Sequence, residues 1–183
     1  MNMKVDLHEK LTAPETVSLT LDNGELYVKG PKGEDRRSFS NPKIQLSLSG
    51  RELEFKVPAA TKREKRLLSS FLAHARNMLR GVVEPFEYEL KICSGHFPMN
   101  VSVSGKTVVV KNFLGEKHPR VIDIPEGTTV KVNGTAVIIT SSSRELAGMA
   151  AGRIEQMCRI TNRDRRIFQD GIYIVKKPSR DLS

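Results

Sequence analysis

The sequence contains no tryptophan, and aromatic residues make up only 5% of its 183 residues. Proteins that bind single strands without sequence preference stack bases on aromatic side chains, so this scarcity argues against such a platform. No apolar run approaches the roughly 20 residues needed to cross a bilayer. The first ten residues also lack the apolar stretch of a signal peptide. We therefore expect a soluble, cytoplasmic protein with no membrane partner.

Cysteine is equally scarce, with only Cys93 and Cys158 in the chain. Two cysteines form no disulfide framework, which favours a reducing compartment. Cys93 and His96 have C-x-x-H spacing, but a structural zinc site needs four ligands, so we predict no metal. A Cys–His nucleophile stays open at this point, because such partners meet in space rather than in sequence. Cys158 lies on an apolar helical stripe, where cysteine usually behaves as a small hydrophobic residue.

A cofactor is not predicted either. Gly105-Lys106-Thr107 resembles the end of a phosphate-binding P-loop, but Asn100 stands where that motif needs its first glycine. The motif also needs a following helix, whose N-terminus faces the phosphate, whereas Thr107–Val110 is β-branched and predicts a strand. No carboxylate pair suited to acid–base chemistry stands out. We therefore predict no catalytic and no cofactor-binding residues.

Positive charge is what the sequence has in excess. It contains 30 Lys and Arg residues against 21 Asp and Glu residues, for a formal net charge of +9. This excess is typical of nucleic-acid-binding proteins. No helix-turn-helix, zinc-finger or basic-zipper pattern is present, so RNA is favoured over DNA. The scarcity of aromatic residues favours recognition of folded RNA through its backbone and shape.

An internal repeat organises the chain. Val28–Glu34 matches Val110–Glu116 in register, with Val, Lys, Gly and Glu identical. Around each copy, apolar residues alternate with polar ones as in half-buried strands. Turn sequences separate these strands and predict antiparallel hairpins; they lie at Asn23-Gly24, Ser49-Gly50, Ser104-Gly105 and Asn133-Gly134. Repetition of a strand pattern at this distance predicts a duplicated module.

Each module ends in a predicted helix. Thr61 and Glu64 have the spacing of a capping box, and so do Ser142 and Glu145 in the second module. An apolar stripe follows each box. The fold class predicted is α+β, with two tandem copies of a small domain, each an antiparallel sheet with one packed helix. We assign residues 1–81 to the first repeat, 82–178 to the second with a basic C-terminal strap, and 179–183 to a frayed tail.

The basic side chains near the second repeated stretch and in the C-terminal strap are the candidate RNA contacts, because Lys and Arg beside glycines allow charge-assisted contacts to phosphates. They are Lys111, Asn112, Lys117, His118, Arg120, Arg163, Arg165, Arg166, Lys176 and Lys177. A further group, Lys62, Arg63, Lys65 and Arg66, crowds the start of the first helix, where the helix dipole disfavours cations. That group is either directed at a partner or a solvated helix face.

Three motifs resemble the family of the sixth protein of the large ribosomal subunit, in its archaeal and eukaryotic form. They are Gly81–Phe86 with Cys93–Pro98, then Asn112–Lys117, and finally Phe168–Tyr173. They occur in the family's order, and the flanking elements extend the resemblance over nearly the whole chain.

The resemblance implies a structural protein that binds large-subunit ribosomal RNA, mainly through its second domain. It implies a place near the sarcin–ricin loop and the region where translation factors dock, in the cytoplasmic ribosome. The partners would be that RNA and neighbouring large-subunit proteins, with a single copy per ribosome. No catalytic residues are implied.

Two other classes of function remain as alternatives from the residues alone. One is an enzyme acting on nucleotides or RNA through a basic substrate groove, for which Lys106 or His96 would be needed. The other is a protein-docking module, whose binding would be insensitive to salt because it would not release counterions from a polyanion.

Overall fold

The computed structural model describes residues 5–178 of the chain. The predicted frayed tail, 179–183, lies outside the described residues. The chain divides into two compact units at the Pro85–Phe86 bond. Val82 is fully buried in the hydrophobic core of the first unit, although the predicted boundary after residue 81 would assign it to the second.

The first unit contains six strands followed by a helix. The strands form two three-stranded antiparallel sheets, with orders β1-β6-β5 and β2-β3-β4. Helix α1 (Lys62–Gly81) follows the last strand. The strands are β1 (Val5–Thr12), β2 (Ser18–Asp22), β3 (Glu25–Gly30), β4 (Gly33–Ser38), β5 (Gln45–Ser49) and β6 (Glu52–Ala60).

The second unit repeats this order and adds one strand. Its sheets have the orders β10-β9-β8 and β11-β12-β7-β13. Helix α2 (Arg144–Met157) precedes the added strand β13 (Gly171–Lys176). The other strands are β7 (Phe86–Cys93), β8 (Asn100–Ser104), β9 (Thr107–Lys111), β10 (Arg120–Asp123), β11 (Thr128–Asn133) and β12 (Ala136–Ser141).

The topology confirms the predicted α+β fold as two copies of one module. The order β1-β6-β5 in the first unit corresponds to β7-β12-β11 in the second, and β2-β3-β4 corresponds to β8-β9-β10. In each unit the helix follows the strand at the centre of the first of these three-strand arrangements. In the second unit β13 occupies the other edge of β7, pairing antiparallel with it from Gly171 opposite Cys93.

The predicted hairpins form at the turns that the sequence indicated. β2 pairs with β3, β5 with β6, β8 with β9, and β11 with β12, all antiparallel. The first of these turns uses Asn23 at φ 47° and Gly24 at φ 80°. Positive φ at both central residues matches the right-handed twist of the two strands, which is why Asn-Gly is favoured there.

Alternating apolar residues build a separate core in each unit. In the first unit, Leu26, Leu53 and Phe55 are completely buried, and the inward face of α1 packs with them. In the second, Leu90 and Ile139 are completely buried in a core to which α2 also contributes. No helix within residues 5–178 is long and apolar enough to span a membrane.

The two helices begin differently. Thr61 caps α1 in the predicted capping box: its side chain accepts from the Arg63 amide, and Glu64 accepts from the Thr61 amide at 2.9 Å. Helix α2 is capped by Ser143, one residue after the Ser142 that the second predicted capping box indicates, and Ser143 makes no side-chain capping bond. One residue before this pair, the Ser141 hydroxyl donates to the Gly127 carbonyl and accepts from the Ser143 amide.

Candidate nucleic-acid interface

The second repeated stretch leaves β9 as an irregular loop, whereas the first copy forms a hairpin turn. Asn112 at φ 60° and Leu114 at φ 47° are left-handed, and a short 3-10 turn spans Phe113–Gly115. Phe113 is 1% exposed and belongs to the core of the second unit. Lys111, Asn112, Lys117 and His118 are exposed on either side of it. A buried aromatic ring therefore anchors a loop whose polar side chains face solvent.

Arg120 fixes this loop to the end of α2. Its guanidinium donates to both carboxylate oxygens of Glu116, at 2.8 and 2.6 Å, and to the Met157 carbonyl at 2.5 Å. It also lies 4.2 Å from the centroid of the Phe113 ring. Met157 is the last residue of α2, and the last carbonyls of a helix lack internal partners. Arg120 is thus engaged within the protein, and its position identifies it as a residue that holds the loop.

A buried carboxylate organises the connection that follows β7. Asp170 is 1% exposed. One of its oxygens accepts from the backbone amides of Gly95 and His96, at 2.7 and 3.0 Å, and the other lies 2.6 Å from His96 Nδ1. Residues of the C-terminal strap therefore determine the conformation of residues 94–99, although about 75 positions separate the two segments.

Phe168 is the centre of a stacked group beside this carboxylate. Its ring stacks on His96 with centroids 4.6 Å apart and planes at 21°, and the Arg163 guanidinium lies 4.9 Å from its centroid. Tyr173 donates its hydroxyl hydrogen towards the carbonyls of Gln169 and Asp170. Phe168 and Tyr173 are therefore held by contacts within the protein.

Three segments of the second unit come together through these contacts: residues 94–99, 111–120 and 159–170. Asn112 Nδ2 donates to the Pro98 carbonyl at 3.0 Å, and the Phe97 ring packs against Gly115. The positive charge of Arg163 contributes to lowering the pKa of Glu116, although the hydrogen bond from Arg120 is the larger cause. The exposed basic and imidazole side chains of the three segments form what we call the cationic face: Lys111, Lys117, His118, Arg163, Arg165 and Arg166.

Acidic groups on this face are already neutralised by neighbours. Glu116 pairs with Arg120, and the pKa of its carboxyl lies below its ordinary value for that reason. Asp164 pairs with Arg166 at 2.8 Å and also accepts from the Arg166 amide, and both bonds lower its pKa. The face therefore presents the exposed cations Lys111, Lys117, Arg163 and Arg165, while its carboxylates Glu116 and Asp164 are paired with other arginines.

The lysines of the predicted strap lie elsewhere. Gly171 is paired with Cys93 at one end of β13, whereas Lys176 is paired with Glu89 at the other end. Lys176 lies five positions after Gly171, a distance of roughly 16 Å along the strand. Lys177 follows β13 and is exposed. The structure therefore splits the predicted strap into an arginine part on the cationic face and a lysine part away from it.

The alternatives to nucleic-acid binding find little support in the site. Burial is the main cause that raises the pKa of the Cys158 thiol to about 11, so it does not form a thiolate nucleophile at neutral pH. Within the described residues no three His, Cys, Asp or Glu side chains are grouped to hold a metal. Lys106 pairs with Glu126 at 2.7 Å and precedes strand β9, as expected if no P-loop is present.

Residues 94–99 and Asp170 were missed as parts of the interface. The sequence patterns indicate His96 only as a metal ligand or catalytic group, and they single out Asp170 for no role. The signal was present in the Cys93–Pro98 and Phe168–Tyr173 motifs. Their pairing needed the position of β13 beside β7, which no local pattern predicts.

Comparisons with known proteins agree with this architecture. The family model of ribosomal protein L6 matches residues 13–84 and 97–171, once in each unit. The large ribosomal subunit protein uL6 of Methanococcus vannielii is 39% identical over 176 residues, covering 96% of this chain and 97% of the relative. Those of Nanoarchaeum equitans and Methanosarcina mazei are each 40% identical, covering 94% and 96% of this chain and 94% and 99% of the relatives.

These relatives are named as ribosomal proteins and not as enzymes. Both the duplicated module and the three sequence motifs fall within the matched ranges or at their edges. A family model matched twice, together with near full-length relatives, makes the assignment: this chain belongs to the ribosomal protein L6 family.

Proposed function

We propose that this protein is a structural constituent of the large ribosomal subunit and binds large-subunit ribosomal RNA, mainly through its second unit. Membership of a family of ribosomal proteins supports the assignment to the large ribosomal subunit. The observation that carries the RNA-binding role is the cationic face, on which three segments distant in sequence are joined by specific contacts. The protein is not an enzyme, so the nucleotide-processing alternative is set aside.

The contacts divide the candidate residues by role. Lys111, Lys117, His118 and the three arginines of the cationic face contact phosphates, because their side chains are exposed. Asn112 and Arg120 position the loop, since both donate to backbone carbonyls within the protein. Lys176 and Lys177 provide a separate contact at the far end of β13.

Folded RNA is the form that suits this face. The Phe168 ring already stacks on His96 and lies beneath Arg163, so it is not free to receive a base. Exposed cations on short, well-anchored loops suit the phosphates and 2′-hydroxyl groups of an RNA duplex. We propose that this RNA lies near the sarcin–ricin loop and the factor-docking region, as the resemblance to the family implies. One copy per cytoplasmic ribosome, beside other large-subunit proteins, completes the proposal.

The direct test replaces Arg163, Arg165 and Arg166 with alanine and measures binding to large-subunit ribosomal RNA over a series of salt concentrations. The slope of log affinity against log salt should become shallower by roughly 0.7–0.9 for each lost phosphate contact. Lys91, Lys131 and Arg153 are exposed in the same unit, so their triple alanine variant removes an equal charge elsewhere. An unchanged slope for the first variant, or an equal change in both, would count against the cationic face.

Assembly is tested separately. The protein should sediment with large ribosomal subunits after a high-salt wash, and nucleotides near the sarcin–ricin loop should be protected from hydroxyl radicals when it is bound. Loss from the subunit on washing would argue against a structural constituent. Protection confined to another region would reject the proposed location and leave RNA binding intact.

A further inference from the structure

Helix α1 of the first unit has an unusual charge composition. Its 20 residues contain Lys or Arg at six positions and one acidic residue, Glu64. Helix α2, the corresponding element of the second unit, contains Arg144 and Arg153 against Glu145 and Glu155. The excess of positive charge is therefore a property of α1 and not of the repeated module. The six cationic positions are Lys62, Arg63, Lys65, Arg66, Arg76 and Arg80.

The exposed cations of α1 lack acidic partners among the described residues. Glu64, the acidic residue of α1, is only 9% exposed. Its carboxylate is already paired with Lys43, whose Nζ lies 2.6 Å away. Lys62, Arg63, Lys65, Arg66 and Arg76 are all exposed. On the sheets of the same unit, by contrast, Lys10 and Lys56 both pair with Glu54.

The solvent side of α1 is also shaped for close approach. Positions 62, 66, 69, 73, 76 and 80 follow the i, i+4, i+7 spacing that places residues on one stripe of a helix. Ser69, Ser70 and Ala73 are small, exposed residues at its middle, and cations lie towards both ends. The helix is roughly 30 Å long. A flat centre with cations on both sides suits a surface that carries two rows of negative charge.

Helix formation does not explain these cations. The N-terminus of a helix is the positive end of its dipole and favours acidic residues. Four of the cations of α1 lie in its first turns, where they oppose both the dipole and one another. The Thr61–Glu64 capping box supplies the stability of this end without them.

We propose that this side of α1, called here the α1 basic face, is a second RNA-binding surface that contacts the two phosphate rows of a double-stranded RNA segment. Nucleic-acid interfaces are more polar and more positively charged than protein interfaces, whose centres are apolar. The large apolar residues of α1 are buried in the core of the unit, as Leu68, Leu72 and Met78 are, or pack against it, as Leu67 and Phe71 do. None of these is left to enter a membrane or to form the centre of a protein interface.

This inference goes beyond the proposed function, which relies on the second unit. It is tested with the full chain carrying Lys62→Gln, Arg63→Gln, Lys65→Gln and Arg66→Gln. Removing cations from the start of α1 relieves repulsion with the dipole, so the variant is expected to unfold at the same temperature or higher. The matched control carries Lys29→Gln, Lys32→Gln, Arg36→Gln and Arg51→Gln, four exposed cations in the strands and turns of the same unit.

The measurements are the salt dependence of binding to large-subunit ribosomal RNA and hydroxyl-radical footprints on that RNA. The α1 variant should show a slope shallower by roughly 0.7–0.9 per lost phosphate contact, with the control retaining most of the original slope. It should lose protection of a duplex segment that the Arg163, Arg165 and Arg166 variant still protects.

Each remaining outcome has a defined meaning. An equal change of slope in the α1 variant and its control, or an unchanged footprint, would overturn the proposal. Unchanged RNA affinity with loss of an acidic protein partner from the ribosomal subunit would also overturn it, in favour of a protein contact. Loss of binding in the α1 variant alone would support the α1 basic face while rejecting the cationic face of the second unit.

Discussion

Asp170 is an acidic side chain with only 1% of its surface exposed. Burial by itself raises the pKa of a carboxyl, but here the hydrogen bonds from His96 and Gly95 outweigh it and the pKa is lowered. The group is therefore ionised at neutral pH and accepts from two backbone amides and one imidazole. A single carboxylate thus holds the connection after β7 against the C-terminal segment.

Replacing Asp170 with asparagine should loosen this connection. An asparagine side chain keeps only one oxygen acceptor, so either the backbone amides of Gly95 and His96 or the His96 ring nitrogen lose their acceptor. The expected cost is about 1–3 kcal/mol in the free energy of unfolding. Chemical denaturation measures this, and the salt-dependent RNA affinity should fall as well. Asp123 is exposed on β10, so Asp123→Asn should stay within about 0.5 kcal/mol. Equal stability of the two variants would refute the structural role of Asp170.

Glu64 leads to a prediction about acid stability. Hydrogen bonds from Lys43, from the Thr61 hydroxyl and from the Thr61 amide lower the pKa of its carboxyl from 4.5 to about 2. A carboxyl with a lower pKa in the folded state stabilises the protein fully above its unfolded pKa. That stabilisation is lost as the pH falls from 4.5 towards 2.

The measurement is denaturation of the protein and of Glu64→Gln at several pH values. The difference in free energy of unfolding between them should be largest near neutral pH and should shrink over this acidic range. Glu15 is exposed and pairs with the exposed Arg51, so Glu15→Gln is a suitable control with a small, nearly pH-independent effect. A constant difference for Glu64→Gln would show that its charge does not contribute.

At the scale of elements, the two repeated stretches have diverged in structure. After β3 only Pro31 and Lys32 separate the strands, because β4 begins at Gly33. After β9 the chain needs residues 112–119 before β10 begins at Arg120. Burial of Phe113 and the contacts of Arg120 support this longer loop. The same module thus forms a short hairpin in one unit and a cation-bearing loop in the other.

The β3–β4 hairpin packs closely against Val82 at the end of α1, and this contact leaves room only for glycine at position 30. A Cβ atom at this position would lie 2.8 Å from both Cγ2 and the carbonyl oxygen of Val82, and that oxygen also accepts from the Lys32 amide at 2.9 Å. We expect Gly30→Ala to lower the free energy of unfolding by about 1–3 kcal/mol, because the backbone must shift.

Gly152 provides the matched control for that substitution. It lies within α2, and a Cβ atom there meets nothing within 4 Å. Gly152→Ala should stabilise the protein by about 0.5–1 kcal/mol, because alanine loses less conformational freedom in a helix. Opposite signs in thermal denaturation are the expected result. If both substitutions destabilised the protein, the loss at Gly30 could not be attributed to its close contact with Val82.

At the scale of the whole molecule, the chain holds two hydrophobic cores. All the buried members of one come from residues 13–82 and those of the other from residues 90–172. Small domains bury a limited fraction of their surface, so each core is sensitive to the loss of one large side chain. The two RNA-binding surfaces that we propose belong to different units, which assigns a separate recognition role to each copy of the module.

The separate cores predict local effects of core substitutions. Leu53 and Ile139 are both completely buried, one in each unit. Either alanine variant should lose about 2–5 kcal/mol. In hydrogen exchange, Leu53→Ala should reduce protection in β6 and α1, and Ile139→Ala in β12 and α2. Reduced protection spread evenly over both units would mean that they unfold together.

Much of this architecture was predictable because its causes are local. Alternation such as Leu46 and Leu48 in β5 indicates a strand, and turn residues such as Asn133-Gly134 fix the hairpin that follows β11. The Thr61–Glu64 spacing correctly predicted the start of α1. The start of α2 was predicted one residue early, because the helix is capped by Ser143 and the Ser-x-x-Glu spacing alone does not decide which of the consecutive serines precedes it.

The candidate site was predictable only in part. Positive charge and glycine-containing loops indicated Lys111, Lys117 and the arginines of residues 163–166, whose side chains are indeed exposed. Their role as RNA contacts remains a prediction. Neither the internal contacts of Arg120 nor the separation of Lys176 from the arginines was visible in the sequence, because both depend on where α2 and β13 lie.

By itself, the sequence determined the class of fold, the duplication and the excess of positive charge, since each follows from composition or from spacing between near neighbours. Only the tertiary structure decided which cations share a surface. The pairing of β13 with β7 brings Asp170 to His96, and the packing of α2 brings Met157 to Arg120. Contacts between residues so far apart in sequence depend on the packing of whole elements, and no short pattern of residues specifies them.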